Sequence, residues 1–422
     1  MKKILFFAAA AVAVMTSCSS SDDVVAEQAP VNPGNQEIAE SRVAIQLGAT
    51  NNVASAAVRG TGTVGTTDAA TNKWGGQNFN VYMFKHGTIE DTIYNNTVFY
   101  AGIATGKLTP DIFNGVGSLP AITSDSVSYI RPKNDTVKYY PAQGAYDFVA
   151  YRLDSAWTAN PVKGASTWTR DFTIDGSQDI MVAAATPEAD SIAAVLAYLQ
   201  TSNPSATTAD AEKRFFSSFT ARRGNIPTLE FKHLLTRLTF NVIPGTAKAV
   251  EAGSGVVVDS IKVISDVDGT LTFAPADAQG ITWNTPATKD TLTLKERATA
   301  GSDYLDSLNL KKLTPYSLIG KTVGTGESIG EALLVAPATD YRVIVYVSQE
   351  LPILYSVPAT TEKHVYAIPT TISLSSGDFE AAKSYIVNIT VNGAQDIVLK
   401  ASLTKWVEGE TINKDPENED FE

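Results

Sequence analysis

The sequence predicts an all-β protein built as two β-sandwich domains in tandem. Three observations lead there. Short runs with every second residue apolar recur along most of the chain, separated by Gly, Pro, Asn and Asp turn signals, which is the pattern of half-buried strands. Only one stretch keeps a clear helical period: Ile192, Val195, Leu196 and Leu199 stand at i, i+3, i+4 and i+7, with Asp190 near the N-cap. Pro244-Gly245 and the small polar run to Gly255 then mark a boundary, giving domains over 42–245 and 246–406. Many strands with turns between them suit sandwiches better than a parallel sheet.

The chain opens with Lys2 and Lys3, an apolar run from Ile4 to Val14, and Met15-Thr16-Ser17-Cys18. A charged start, a short apolar segment and small residues before a cut predict a signal peptide over 1–17. A membrane-spanning helix needs about 20 apolar residues, so this run is too short to cross. The cut site resembles a bacterial lipobox, with Met15 a mild departure from the usual Leu; the resemblance implies that Cys18 is lipidated and becomes the first residue of the exported protein. Cys18 is the only cysteine among 422 residues, so no disulfide can form within one chain. Residues 18–41, rich in Ser, Asp, Pro, Asn, Gln and Glu, predict a disordered polar tether.

Val43, Ile45 and Leu47 share one face and predict a short half-buried strand over 43–47. From Gly48 to Lys73 the composition predicts a long exposed loop, which contains Arg59-Gly60. Strong strand patterns follow at Phe79–Phe84, Tyr146–Tyr151, Asp179–Ala183, Leu229–His233 and Leu238–Val242, and a second short helix is expected around Ala209–Phe219. Past the boundary, strands are expected at Val256–Ile264, Gly269–Phe273, Thr291–Leu294, Leu333–Val335, Tyr341–Val347, Tyr385–Val391 and Ile397–Leu403. The tail from Val407 to Glu422 sets seven acids against one lysine, a net of −6 out of −12 for the whole chain. An acidic chain without a basic stripe argues against nucleic-acid binding.

The residues point to no catalytic site, no cofactor and no metal. His86, His233 and His364 lie far apart, and none has ligand spacing to another histidine or to the cysteine. His233 falls within a strand pattern and reads as structural. Asp266-Val267-Asp268-Gly269 opens like a calcium loop, but Leu271 and Asp277 stand where that loop needs Gly and Glu, so a hairpin turn explains it better. There is no phosphate loop and no nucleophile elbow. A carboxylate pair for glycoside hydrolysis cannot be picked out among so many acids. The triplet of Asp, Ser or Thr, and an aliphatic residue recurs at Asp91, Asp125, Asp135, Asp190, Asp259, Asp290 and Asp306. It resembles an O-glycosylation acceptor of Bacteroides-type bacteria; strand starts explain it equally well.

Four stretches carry a wider resemblance. They are Tyr139-Tyr140-Pro141 running into Tyr146–Tyr151, then Asp179–Ala183, then Phe231-Lys232-His233-Leu234-Leu235-Thr236-Arg237-Leu238-Thr239-Phe240, and finally Tyr385–Val391 with Ala401–Trp406. In this order, behind the leader, they make the chain similar to the fimbrillin-like pilins and pilus-associated lipoproteins of Bacteroidetes. That resemblance implies two transthyretin-like sandwiches without enzymatic activity. It also implies a lipidated precursor at the outer membrane, cleavage by an Arg-specific, gingipain-like protease, loss of the N-terminal strand, and polymerisation with other pilin subunits into a fimbrium by strand exchange that supports adhesion.

Arg59 and Arg42 are the candidates for the cut. Cleavage after Arg42 leaves the strand 43–47 attached, whereas cleavage between Arg59 and Gly60 removes tether and strand together from a small-residue loop. Burying Val43, Ile45 and Leu47 stabilises the fold by about 5–9 kcal/mol before ordering costs. A donated strand over Ile397, Leu399, Ala401 and Leu403 suits insertion into a partner by its alternation, and suits an ordinary edge strand equally. The alternatives are an anchor or tip subunit that keeps its lipid, and a monomeric surface lipoprotein that binds glycan.

Overall fold

Alternation along single strands sends side chains into two different cores, and that fixes the architecture. A computed structural model describes residues 43–45, 47–51, 77–90, 92–105, 126–132, 138–142, 144–153, 160–185, 189–222, 226–297, 310–353, 361–394 and 396–404. The chain is all-β, as the alternation predicts. Strands β1 (Gly48–Asn51), β2 (Gln77–Lys85), β3 (Thr92–Thr105), β4 (Ser126–Pro132), β5 (Tyr146–Leu153), β6 (Val162–Lys163), β7 (Trp168–Thr173) and β8 (Ile180–Ala185) come first. Helices α1 (Ala189–Ser202), α2 (Thr208–Glu212) and α3 (Ser218–Ala221) precede β9 (Thr228–His233) and β10 (Thr236–Pro244). Then follow β11 (Val256–Asp266), β12 (Asp268–Ala274), β13 (Gly280–Trp283), β14 (Lys289–Thr293), β15 (Lys295–Arg297), β16 (Leu310–Lys312) and β17 (Tyr316–Ser317). The last strands are β18 (Glu327–Val335), β19 (Asp340–Pro352), β20 (Thr361–Ser373), β21 (Ser384–Gly393) and β22 (Asp396–Thr404).

A seven-stranded sheet runs in the order β1-β9-β8-β5-β2-β3-β4. In β2, Phe79, Val81 and Met83 enter one core with Phe148, Ala150, Met181, Leu229 and Phe231. The alternate residues Tyr82 and Phe84 enter a second core with Tyr151, Ile180 and Val182. Both faces are therefore buried, which explains the dense apolar strands here. The second face packs on the sheet β13-β12-β7-β6: the Phe273 ring lies 4.8 Å from Tyr82 and 4.7 Å from Tyr151, and Trp168 lies 5.3 Å from Tyr82. The first face is covered by the helices, which contribute Val195 and Ala211, and by Phe215 and Phe216 beside α3.

The sheets β18-β10-β21-β22 and β14-β11-β19-β20 form the other sandwich. Leu238, Phe240 and Val242 of β10 face Val258, Ile261, Val263, Val343 and Val345 in one core that continues into the aromatic layer around Phe273. Strand pairing crosses the expected boundary at 245/246 three times, once where β10 pairs antiparallel with β18 from Thr236↔Val335 to Val242↔Glu327. β7 pairs with β12 from Asp268↔Thr173 to Ala274↔Trp168, and β10 pairs with β21 in parallel from Arg237↔Ser384 to Pro244↔Val391. The described residues from Val43 onward belong to one compact unit.

Helix α1 extends the expected 192–199 stretch by about a turn at each end. The helix expected over 209–219 is instead two short helices, each opened by a capping box, on Thr207 and on Ser217. Between them Phe216 sits at φ +52, in the left-handed region that a bulky residue rarely adopts. That residue turns the chain so both Phe215 and Phe216 face the core.

Candidate functional site

The N-terminal segment spans the gap between the two edges of the seven-stranded sheet. Its first residues pair with a thread, Lys138–Tyr140, on the β3–β4 side: Ala44 bridges Tyr139 in antiparallel sense, Ile45 N donates to Lys138 O at 2.7 Å, and Tyr140 N donates to Val43 O at 2.9 Å. Four residues on, β1 pairs in parallel with β9, from Gly48↔Thr228 to Asn51↔Phe231. One short stretch of chain thus pairs with the thread at one end and covers the β9 edge at the other.

The thread is held by Tyr94 of β3. The Tyr94 hydroxyl donates to Tyr139 O at 2.8 Å and accepts from Tyr139 N at 3.2 Å, and the Lys138 ammonium lies 5.2 Å from the centre of the Tyr94 ring. Beneath, Tyr140 packs edge-on to Phe148 at 6.0 Å, and Phe79 edge-on to Phe231 at 5.2 Å. Ile45 and Leu47 drop into this apolar slot and keep only 6% and 4% of their surface. The Tyr140 hydroxyl is buried there with no hydrogen-bond partner among the described residues, and burial pushes its pKa well up.

Of the expected row, Ile45 and Leu47 are buried and Val43 is half-buried at the rim. With two fully buried aliphatic side chains rather than three, the burial term becomes about 3–6 kcal/mol. The position of the strand itself is corrected. Residues 43–47 make a single bridge, and the ladder lies at Gly48–Asn51, inside the stretch expected to be an exposed loop. The β9 edge supplies the partners, so pairing is imposed on Gly-Ala-Thr-Asn despite its weak strand propensity. Arg42, Arg59, Gly60 and Cys18, with the tether and the acidic tail, lie outside the described residues.

The far end of β9 is fastened differently. His233 Nδ1 and Asp179 Oδ2 are 2.7 Å apart, and both side chains are fully buried between β8 and β9. Burial alone would raise the Asp179 carboxyl; His233, with Arg152 and the Ile180 N–H, holds it below the usual carboxylate range. Burial lowers the nearby Arg237 guanidinium, against the pull of Glu331 and Asp179. The other two histidines sit at the surface, His86 beside Asp147 at 2.8 Å and His364 beside Glu362 at 3.9 Å.

The candidate donor strand is β22, at the edge of the sheet β18-β10-β21-β22. It pairs antiparallel with β21 from Ser384↔Thr404 to Gly393↔Asp396. Ile397, Leu399 and Ala401 lie half-buried against the main core, and Val398 points outward with 44% exposure. The side chain of Leu403 lies outside the described residues. Among the repeated triplets, Ser260 is buried within β11 whereas Thr291 is exposed on β14.

No protein-family model matches the chain, and no curated protein matches it. Solved structures do. A candidate cell adhesion protein of Bacteroides uniformis is 13% identical, with a TM-score of 0.42, over 87% of this chain and 98% of that one. A candidate cell adhesion protein of Bacteroides ovatus is 11% identical, with a TM-score of 0.40, over 87% and 100%. The fimbrial anchor protein Mfa2 of Porphyromonas gingivalis is 10% identical, with a TM-score of 0.29, over 86% and 100%.

Proposed function

We propose that this chain is a non-enzymatic structural subunit of a Bacteroidetes-type fimbrium. It is exported as a lipoprotein through Cys18, held at the outer membrane, and cut between Arg59 and Gly60. One observation carries the proposal: the N-terminal segment pairs with the thread Lys138–Tyr140 and with the β9 edge, and its Ile45 and Leu47 complete the core between them. Excising residues up to Arg59 takes away Ile45, Leu47 and β1 together. It leaves the β9 edge and the Lys138–Tyr140 thread without a partner. A strand from a second subunit that enters the same slot restores the main-chain bonds and the apolar contacts. Cutting after Arg42 would leave the slot filled, which is why Arg59 is the productive site.

The test compares surface protein from the native host carrying wild-type chain or Arg59→Ala. Wild type should begin at Gly60 and run as polymer. Arg59→Ala should remain a lipid-bound monomer beginning at Cys18; normal polymer from this variant would end the proposal.

A second reading, an anchor or tip subunit that keeps its lipid, is favoured by β22. That strand is already engaged along β21 and rests its apolar row on its own core, so donating it requires opening the second sandwich. Mature wild-type protein that still begins at lipidated Cys18 within an assembled fimbrium would select this reading.

A further inference from the structure

At the end of the seven-stranded sheet where β5 begins, the chain forms an open pocket of about 530 Å³. It lies between Ala142, Gly144 and Ala145, helix α1, and the stretch from Lys213 to Ser218. This volume falls within the range of about 300–1,000 Å³ usual for small-ligand sites. Its lining is unlike the slot described above. Tyr198 presents an aromatic ring, half exposed, from α1. Lys213 and Arg214 supply two cations and Ser218 a hydroxyl, while the Ser217 hydroxyl caps α3.

The walls are braced. Tyr146 N donates to Phe215 O at 3.4 Å, and Ser218 Oγ donates to Ala142 O at 3.2 Å, tying the two sides of the opening together. Phe215 and Phe216 are buried, and Phe216 stacks edge-on to Phe148 at 6.0 Å. The left-handed backbone at Phe216 is the bend that brings Arg214 and Ser217 to one opening. Such strain in a bulky residue persists only where its surroundings hold it.

The charges are available. Lys213 faces Asp210 at 3.5 Å across an exposed pair, a contact worth little in water. The Thr207 cap uses Asp210 Oδ2, and Oδ1 faces Lys213. Among the described residues Arg214 has no acidic partner. A guanidinium matches a carboxylate with two parallel N–H donors. An exposed phenol ring offers an apolar face, and a pyranose ring has a C–H face of similar size.

We infer that this pocket binds a carboxylate-bearing sugar residue: Arg214 and Lys213 take the carboxylate, Tyr198 lies against the ring, and Ser218 Oγ, which donates to Ala142 O, accepts from one sugar hydroxyl. The site needs neither cleavage nor assembly, so it stands apart from the function proposed above. Titration calorimetry of the full chain with tetragalacturonate, maltotetraose and tetraglutamate tests it. Tetragalacturonate should bind saturably and maltotetraose should not. Arg214→Gln should weaken the galacturonate by about tenfold or more, the loss of a charge-assisted contact. Tyr198→Ala should weaken it as well; both residues are at the surface, and unchanged circular dichroism checks the fold. Absence of saturable galacturonate binding, or equal binding by wild type and both variants, would overturn the assignment. Tetraglutamate binding as tightly as the sugar would overturn it too, in favour of an acidic peptide.

Discussion

The two terminal edge strands of this chain are attached by opposite means. The N-terminal segment has few main-chain bonds, four residues in parallel register and one bridge, yet two of its side chains are almost completely enclosed. β22 has a ladder running from Asp396 to Thr404, yet its inward row is only half-buried. Hydrogen-bonded pairing and side-chain enclosure are thus separable ways of fastening an edge. Replacing the first segment requires a strand with apolar groups at the right spacing. Detaching the second requires breaking a ladder. Under the strand exchange proposed above, specificity for an incoming strand would belong to the N-terminal slot.

The contrast can be broken, and the largest effect is expected where both depend on shared foundations. Asp179→Ala leaves His233 buried beside Arg152 and Arg237 without its carboxylate. Removing one member of a buried pair costs about 3–5 kcal/mol, read by denaturant unfolding. Since the Asp179 carboxyl titrates below its unfolded value, its contribution is complete above the ordinary carboxylate range and is lost as pH falls through the folded value. The stability gap between wild type and Asp179→Asn should be flat from neutral pH to about pH 4 and shrink below it. A gap that widens on acidification would contradict the assignment.

Next comes Leu47→Ala, with an expected loss of about 2–5 kcal/mol because the slot is enclosed on several sides. If the segment lets go locally instead, the same substitution should speed hydrogen exchange at Leu229–Phe231 on β9 without a matching global loss. Leu399→Ala on β22 should cost less than Leu47→Ala, since its side chain is half in water already. Val398→Ser, on the outward face of the same strand, should stay within about 0.5 kcal/mol. A Leu399 effect as large as that of Leu47 would erase the distinction between the two edges.

Much of this was legible in the residues themselves. β2, β5, β9, β10, β11, β21 and β22 announce themselves by alternation, and in the slot the apolar row Val43, Ile45, Leu47 marks the face that enters. β1 did not, because Gly48–Asn51 has no apolar row and becomes a strand only through β9, far along the chain. The other side of the slot was hidden for a similar reason. The thread Lys138–Tyr140 is held beside β3 by the Tyr94 hydroxyl, and no local pattern encodes that contact. His233 reads as structural in its strand, but its carboxylate partner stands 54 residues away. β20 was missed because its residues alternate between exposed and half-buried at an edge, with Pro369 inside the strand.

The parallel pairing of β10 with β21 bears on mechanical load. The two strands point the same way over eight register positions, and β7 is likewise sewn to β12 across the middle of the chain. Tension that drags β10 and β21 past each other along their length must shear those pairings together, rather than open them one at a time from an end. If the chain polymerises by the strand exchange proposed above, a stretched row of such molecules should give way at the exchanged strands before these locked pairings shear.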